Sequence, residues 1–163
     1  MTNKKKSRRT IADSFKAAFQ GIWDCIRSER NMRIHFSVMA YILFFAVLLR
    51  LKLLEYAVLF LTMALVLSTE MINTAIEKQC DFIEPKLHPQ IRLIKDIAAG
   101  AVLVASIFAV CVGIALLWRS ALWQLLLHII SSPLYIALLL LSVVIALVFI
   151  FLGPAGMGFG KKR

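Results

Sequence analysis

Glu70, Asn73, Glu77 and Asp81 follow one another at helical intervals in Glu-Met-Ile-Asn-Thr-Ala-Ile-Glu-Lys-Gln-Cys-Asp, residues 70–81. At about 100° per residue their side chains fall within roughly 80° of one helix face. Two glutamates, an amide and an aspartate on one face offer hard oxygen ligands to a cation or a cationic partner. Ala57 to Ser68 carries no charge, so Glu70 stands at or below a membrane boundary, where an ionisable side chain is costly and marks function by default. The bland alternative for Glu70 is a carboxylate pairing with a basic neighbour at a helix end, and four polar groups in register weigh against it. Together with Glu29, Asp96, Lys86, Arg92 and Lys95 the stripe suits magnesium and polyphosphate. An acid held at the lipid level can also take the proton of an alcohol that arrives by lateral diffusion in the bilayer.

The elements that must position these groups are membrane helices. With 61% hydrophobic and 17% charged residues and a mean hydropathy of +0.83, the 163-residue chain reads as a small all-α integral membrane protein. Apolar runs occupy 36–49, 56–69, 97–118 and 133–152. The last two reach the roughly 20 residues a span needs, and the first two do so with their polar flanks. The expected architecture is an N-terminal amphipathic surface helix, a three-helix transmembrane core and a fourth C-terminal span. Its divisions are a disordered basic tail over 1–10, a core over 11–118, and an extra interfacial segment, span and basic tail over 119–163.

The formal charge of +10 raises nucleic acid as a partner, yet the basic residues sit at the ends of apolar runs and read as topology signals instead. Sixteen of the 19 lie before the first span, between the second and third, or at the C-terminus, leaving Arg50, Lys52 and Arg119 for the other side. Both termini and segment 78–96 are therefore expected on the cytoplasmic side of the inner membrane, with no nucleic acid bound. Cys25, Cys80 and Cys111 have no CxxC spacing and read as free thiols. No signal peptide is expected, because the basic N-terminus is not followed directly by an apolar core and a cleavage site.

In chain order, Ile11, Phe15, Ala18, Phe19, Ile22, Trp23 and Ile26 recur every three or four residues and predict a helix lying on the membrane surface. Glu29-Arg-Asn-Met-Arg-Ile-His35 crowds charge into the mouth of the first span. There, Glu29 and Arg33 have the spacing of an ordinary helical ion pair, and His35 by itself suits a satisfied helix-end residue. The short link near Arg50-Leu51-Lys52 makes the first two spans antiparallel neighbours, so Glu29 shares a level with Glu70 and Glu77. Pro85 and Pro89 bound a loop. Lys95-Asp96, which alone would be an interfacial anchor, precedes Ala98-Ala99-Gly100-Ala101, whose small side chains permit close helix approach. The tail Gly153-Pro154-Ala155-Gly156 is no phosphate loop and carries no evident chemistry.

Ser-Thr-Glu70-Met-Ile-Asn73-Thr-Ala-Ile-Glu77 followed by Asp81, with Glu29-Arg-Asn-Met-Arg-Ile-His35, His88-Pro89 and Lys95-Asp96-Ile-Ala-Ala-Gly100, closely resembles the bacterial diacylglycerol kinase/undecaprenol kinase family over roughly residues 14–118. The resemblance implies a three-span homotrimer with its active site at the protomer interface, transferring the γ-phosphoryl group of ATP to a lipid hydroxyl. By the same resemblance Glu70 would be the general base, with Asn73 beside the reacting centre and Glu29 and Glu77 as magnesium ligands. Asp81, Lys86, His88, Lys95 and Asp96 would serve the nucleotide. The chain departs from the family in lacking the aromatic and arginine pattern that places the adenine, and in carrying residues 119–163. A small cation transporter or channel subunit is the competing reading. It predicts acids on several spans at mid-depth, whereas none occurs between Ile97 and Gly153.

Overall fold

The computed structural model describes residues 10–84, 86 and 88–156, and within them the protein is all helix. The helices are α1 (Ile11–Ser28), α2 (Arg30–Leu48), α3 (Leu53–Ile83), α4 (Pro89–Leu117), α5 (Ser120–Ser131) and α6 (Pro133–Gly156). Four are long and apolar enough to cross a membrane: α2, α3, α4 and the Pro133–Pro154 part of α6. The expected surface helix, three-span core and fourth span are all present. Residues 1–9 and 161–163, which hold the two basic tails, lie outside the described residues.

Thr10 is the N-cap of α1. Its hydroxyl accepts from the Asp13 backbone N–H (3.2 Å), and the Asp13 carboxylate accepts from the Thr10 N–H (3.1 Å) and hydroxyl (2.7 Å), closing a capping box over two orphan donors. Those bonds hold the Asp13 carboxyl below its ordinary value. The ridge Ile11, Phe15, Phe19 and Trp23 is exposed along α1, which suits a helix laid on a lipid surface.

The α2–α3 link is tighter than a flexible turn. The Leu51 N–H bonds to Ala46 O (3.1 Å) and the Arg50 N–H to Val47 O (3.1 Å), the paired closure of a Schellman motif. Arg50 takes the left-handed position, φ 52°, that glycine usually fills. Leu51 and Ala46 beneath it are buried together with Leu49, Leu59 and Met63, so the best-packed core of the molecule lies at this end. Arg119 pairs here with Glu55, joining the start of α3 to the entry of α5.

Helix α3 contains no glycine or proline from Leu53 to Ile83 and runs unbroken. At 1.5 Å per residue Glu70 stands about 26 Å along it, near the far edge of a hydrocarbon layer of about 30 Å, and the last three turns project beyond. The helix ends at Glu84, which is extended (φ −140°, ψ 98°), as a residue before proline prefers. Pro89 opens α4 at its first turn, where no N–H is needed. The α3–α4 contact uses Ala98, Val102 and Ala105, the buried residues of α4. Gly100, expected to allow close approach, faces open space, since two residues beyond Ala98 the helix has turned about 200° away.

Candidate active site

The site lies at the end of the bundle opposite the Schellman turn, where the last turn of α1, the elbow at Glu29 and the second half of α3 meet. Glu70 is 2% exposed and Asn73 5% exposed, while Glu77 is half-buried and Asp81 exposed. The stripe therefore grades from buried to open along one helix face. The Asn73 amide donates to Glu77 Oε1 (3.1 Å). Glu70 Oε2 and Asn73 Oδ1 are both buried without a hydrogen-bond partner among the described residues. A buried acceptor left unpaired costs free energy, and more so when it is charged. The two oxygens lie three residues apart on one helix, less than a full turn.

Glu29 is the cap residue between α1 and α2. Its Oε1 lies 3.8 Å from Lys78 Nζ, and Lys78 also donates to the Ser28 hydroxyl (2.9 Å). The expected alternative pairing of Glu29 with Arg33 does not form, because the elbow puts Glu29 outside the α2 helix and turns Arg33 elsewhere. Glu29 and Glu77 lie close enough for their charges to act on Glu70, so three acids from two parts of the chain share one neighbourhood. Beneath them the Cys25 thiol donates to the Thr74 hydroxyl (3.4 Å) in a buried contact. Burial pushes the Cys25 thiol above its ordinary value, which keeps it in the unreactive, protonated form. Cys25, Cys80 and Cys111 are all free.

The remaining candidates sit beside this centre rather than in it. Asp81 accepts from Lys95 Nζ (2.5 Å), and Asp96 lies 3.9 Å from Arg92 Nε on the exposed first turns of α4. Lys86 is exposed in the loop. The His88 imidazole caps α4 by accepting from the Gln90 N–H at 3.3 Å. Of these groups, Asp81 with Lys95 and Asp96 with Arg92 form ion pairs, while Lys86 and His88 make only local bonds. Thr74 and Lys78, which sequence reasoning passed over, form with Glu70 a second row at four-residue spacing that faces α1. The spacing is visible in the sequence, but nothing local marks Thr74 or Lys78 as facing α1.

Among the described residues no three His, Cys, Asp or Glu side chains come together as a ready metal cage. Magnesium characteristically takes one or two carboxylates and completes its shell with water and phosphate oxygens. Glu29 and Glu77, whose charges both act on Glu70, would offer such a pair of carboxylates, and the Asn73 amide bonded to Glu77 holds one of them in place.

A helical bundle with four helices able to cross a membrane, and with a buried carboxylate and further acids gathered at one end, defines an integral membrane protein that carries ionisable groups at one level. The chain belongs to the family described as prokaryotic diacylglycerol kinase, whose model matches residues 16–117, and it is a lipid kinase on that ground. It is 38% identical over 101 residues to Undecaprenol kinase of Bacillus subtilis, covering 62% of this chain and 82% of that protein. It is 41% identical over 105 residues to Diacylglycerol kinase of Synechocystis sp., covering 64% of this chain and 60% of that protein. No solved structure matches the chain at a significant level. Helices α5 and α6 lie beyond the family match.

Proposed function

We propose that the protein transfers the γ-phosphoryl group of magnesium-ATP to the hydroxyl of a membrane lipid at the cytoplasmic face of the inner membrane, with undecaprenol preferred to diacylglycerol. The observation that carries this reading is Glu70 Oε2, buried and without a hydrogen-bond partner among the described residues, at the inner end of a helix face that opens outward through Glu77 to Asp81. The hydroxyl oxygen attacks the γ-phosphorus, the bond to the β–γ bridging oxygen breaks and ADP leaves, and the hydroxyl proton passes to the Glu70 carboxylate. Asn73 holds Glu77 by its amide and leaves its own oxygen toward the centre. Glu29 and Glu77 would hold magnesium, which when bound draws charge off the phosphates. Lys86, His88, Lys95, Asp96 and Asp81 ring the mouth where the nucleotide enters.

The form Glu29-Arg-Asn-Met-Arg-Ile-His35 and the likeness to an undecaprenol kinase support the polyprenol. The decisive assay supplies γ-labelled ATP and a panel of diacylglycerol and polyprenols to purified protein. Label is expected in the polyprenyl phosphate first; a higher kcat/KM for diacylglycerol would reverse the order, and no labelled lipid of any kind would end the reading. The family resemblance supports a homotrimer. Native mass spectrometry of the same preparation is expected to give three 18.4 kDa chains, and a stable monomer with full activity would remove that assignment.

Orientation follows from the basic residues, sixteen of which fall on the side of Glu29 and Glu77. Single cysteines placed in loops are expected to react with an impermeant reagent from outside at residues 50–52 and 119, and only after permeabilisation near 86. Outside labelling near 86 would invert the topology and put the site on the wrong side for ATP.

A further inference from the structure

Arg33 is 7% exposed, and no carboxylate pairs with it among the described residues. A buried guanidinium must then find its partners in neutral acceptors. Its Nη1 donates to Ile26 O and Arg27 O, both at 3.1 Å, in the last turn of α1 where carbonyls have lost their helical donors. Its Nε donates to Ile150 O at 2.9 Å, near the end of α6.

That third bond has a cause in the sequence. The helical donor for Ile150 O would be the backbone N–H of residue 154, and residue 154 is proline, which has none. Gly153, with φ 64°, breaks the helix there, and it is buried against the guanidinium. A Cβ on Gly153 would sit 3.2 Å from Arg33 Nη1 and 3.3 Å from Cζ. Gly153-Pro154 is thus a receptor for one side chain: the proline frees a carbonyl and the glycine leaves room to reach it. Farther along the same contact the Tyr41 hydroxyl donates to the Ser142 hydroxyl (3.1 Å).

We propose that Arg33 is a positioning residue and that α6, which lies outside the family match, is its anchor. The guanidinium fastens the end of α6 to the last turn of α1, and so fixes the elbow that presents Glu29 to Lys78 and Glu70. In this chain the fourth span is therefore part of the kinase site's scaffold. The inference rests on the proposed role of Glu29 in holding magnesium-ATP, and it also has a readout independent of catalysis: Cys25 lies one residue before Ile26, so a loosened α1 end uncovers its thiol.

The test compares the full-length protein with Gly153→Val, which fills the receptor, and Pro154→Ala, which returns a competing N–H to Ile150 while leaving the packing almost intact. Gly153→Val is expected to raise the KM for magnesium-ATP by about tenfold with kcat within about twofold. Site-resolved mass spectrometry of N-ethylmaleimide adducts is expected to show Cys25 labelled about tenfold faster. Pro154→Ala is expected to move both readouts in the same direction by less. Adding Gly153→Val to Arg33→Gln is expected to worsen nothing further, as for two halves of one contact. A wild-type protein with no turnover on any lipid alcohol sinks the proposed function. Wild-type turnover, with both variants leaving KM and Cys25 labelling unchanged, sinks the latch. So does a fall in kcat and labelled lipid at constant KM, which would mean only that less protein had folded.

Discussion

Glutamine in place of Glu70 is expected to cut turnover by about 10³-fold while leaving the apparent affinity for magnesium-ATP within about twofold, the signature of an interaction made in the transition state. The substitution keeps the size of the side chain and one carbonyl oxygen but cannot accept the lipid hydroxyl's proton. Glu70 stands seven residues, two helical turns, before Glu77 on the same face, so in the proposed reaction it would meet the lipid while Glu77 would meet the nucleotide. Stability supplies a second readout. Glu70 Oε2 is buried with no hydrogen-bond partner among the described residues, so removing the charge there relieves a desolvation cost and is expected to hold or raise the melting temperature. Loss of turnover in a protein that melts no lower than wild type would separate chemistry from folding. Retained turnover with lost ATP affinity would make Glu70 a nucleotide or metal contact and leave the base unassigned.

The second large effect is expected at Glu29 and Glu77. Glu29→Gln and Glu77→Gln each remove an anionic oxygen from a site for a hard cation, and the magnesium needed for half-maximal rate is expected to rise by on the order of tenfold to a hundredfold. Excess magnesium should recover part of the rate, as it would not for Glu70→Gln. Folding is not the confounder. The Glu29–Lys78 pair is 3.8 Å apart and partly open to solvent, and such pairs contribute under about 1 kcal/mol. Glutamine at 77 can still accept from the Asn73 amide. Normal turnover at ordinary magnesium in either variant would remove that residue from the metal site.

Both predictions draw on groups that the sequence had already gathered, and the reason is the helix itself. A 31-residue helix without glycine or proline has one geometry, so Glu70, Asn73 and Glu77 share a face before any tertiary contact is known. The four apolar segments were equally legible, because a bilayer demands long uninterrupted runs and internal backbone bonding. The surface helix was legible from its apolar ridge. Its start at Ile11 agrees with the structure, while the Thr10–Asp13 capping box that fixes that start was not read from the sequence.

What the sequence could not decide was which polar side chains meet across elements. For Glu29 the spacing offered Arg33 as an ordinary helical partner. The break at the elbow instead brings Lys78, 49 residues away, beside it and turns Arg33 toward the carbonyls of α1 and α6. Pairings between helices depend on rotation about each axis, which interior packing sets and a local pattern does not contain. The same holds for Ala98 over Gly100 at the α4 contact, and for Arg50 in a left-handed turn where no glycine announced one.

Gly153-Pro154 shows the division most sharply. From sequence the pair was a glycine-rich tail with no chemistry. In the folded chain it frees one backbone carbonyl that only an arginine 117 positions earlier satisfies. The sequence by itself determined a helical membrane protein with an acid stripe at one membrane level, because helix periodicity and bilayer thickness act on local runs of residues. The tertiary structure alone decided that Glu70 Oε2 has no partner among the described residues and that Arg33 ties the end of the fourth span to the last turn of α1, because a buried polar group is satisfied by whatever the packing brings within hydrogen-bond reach.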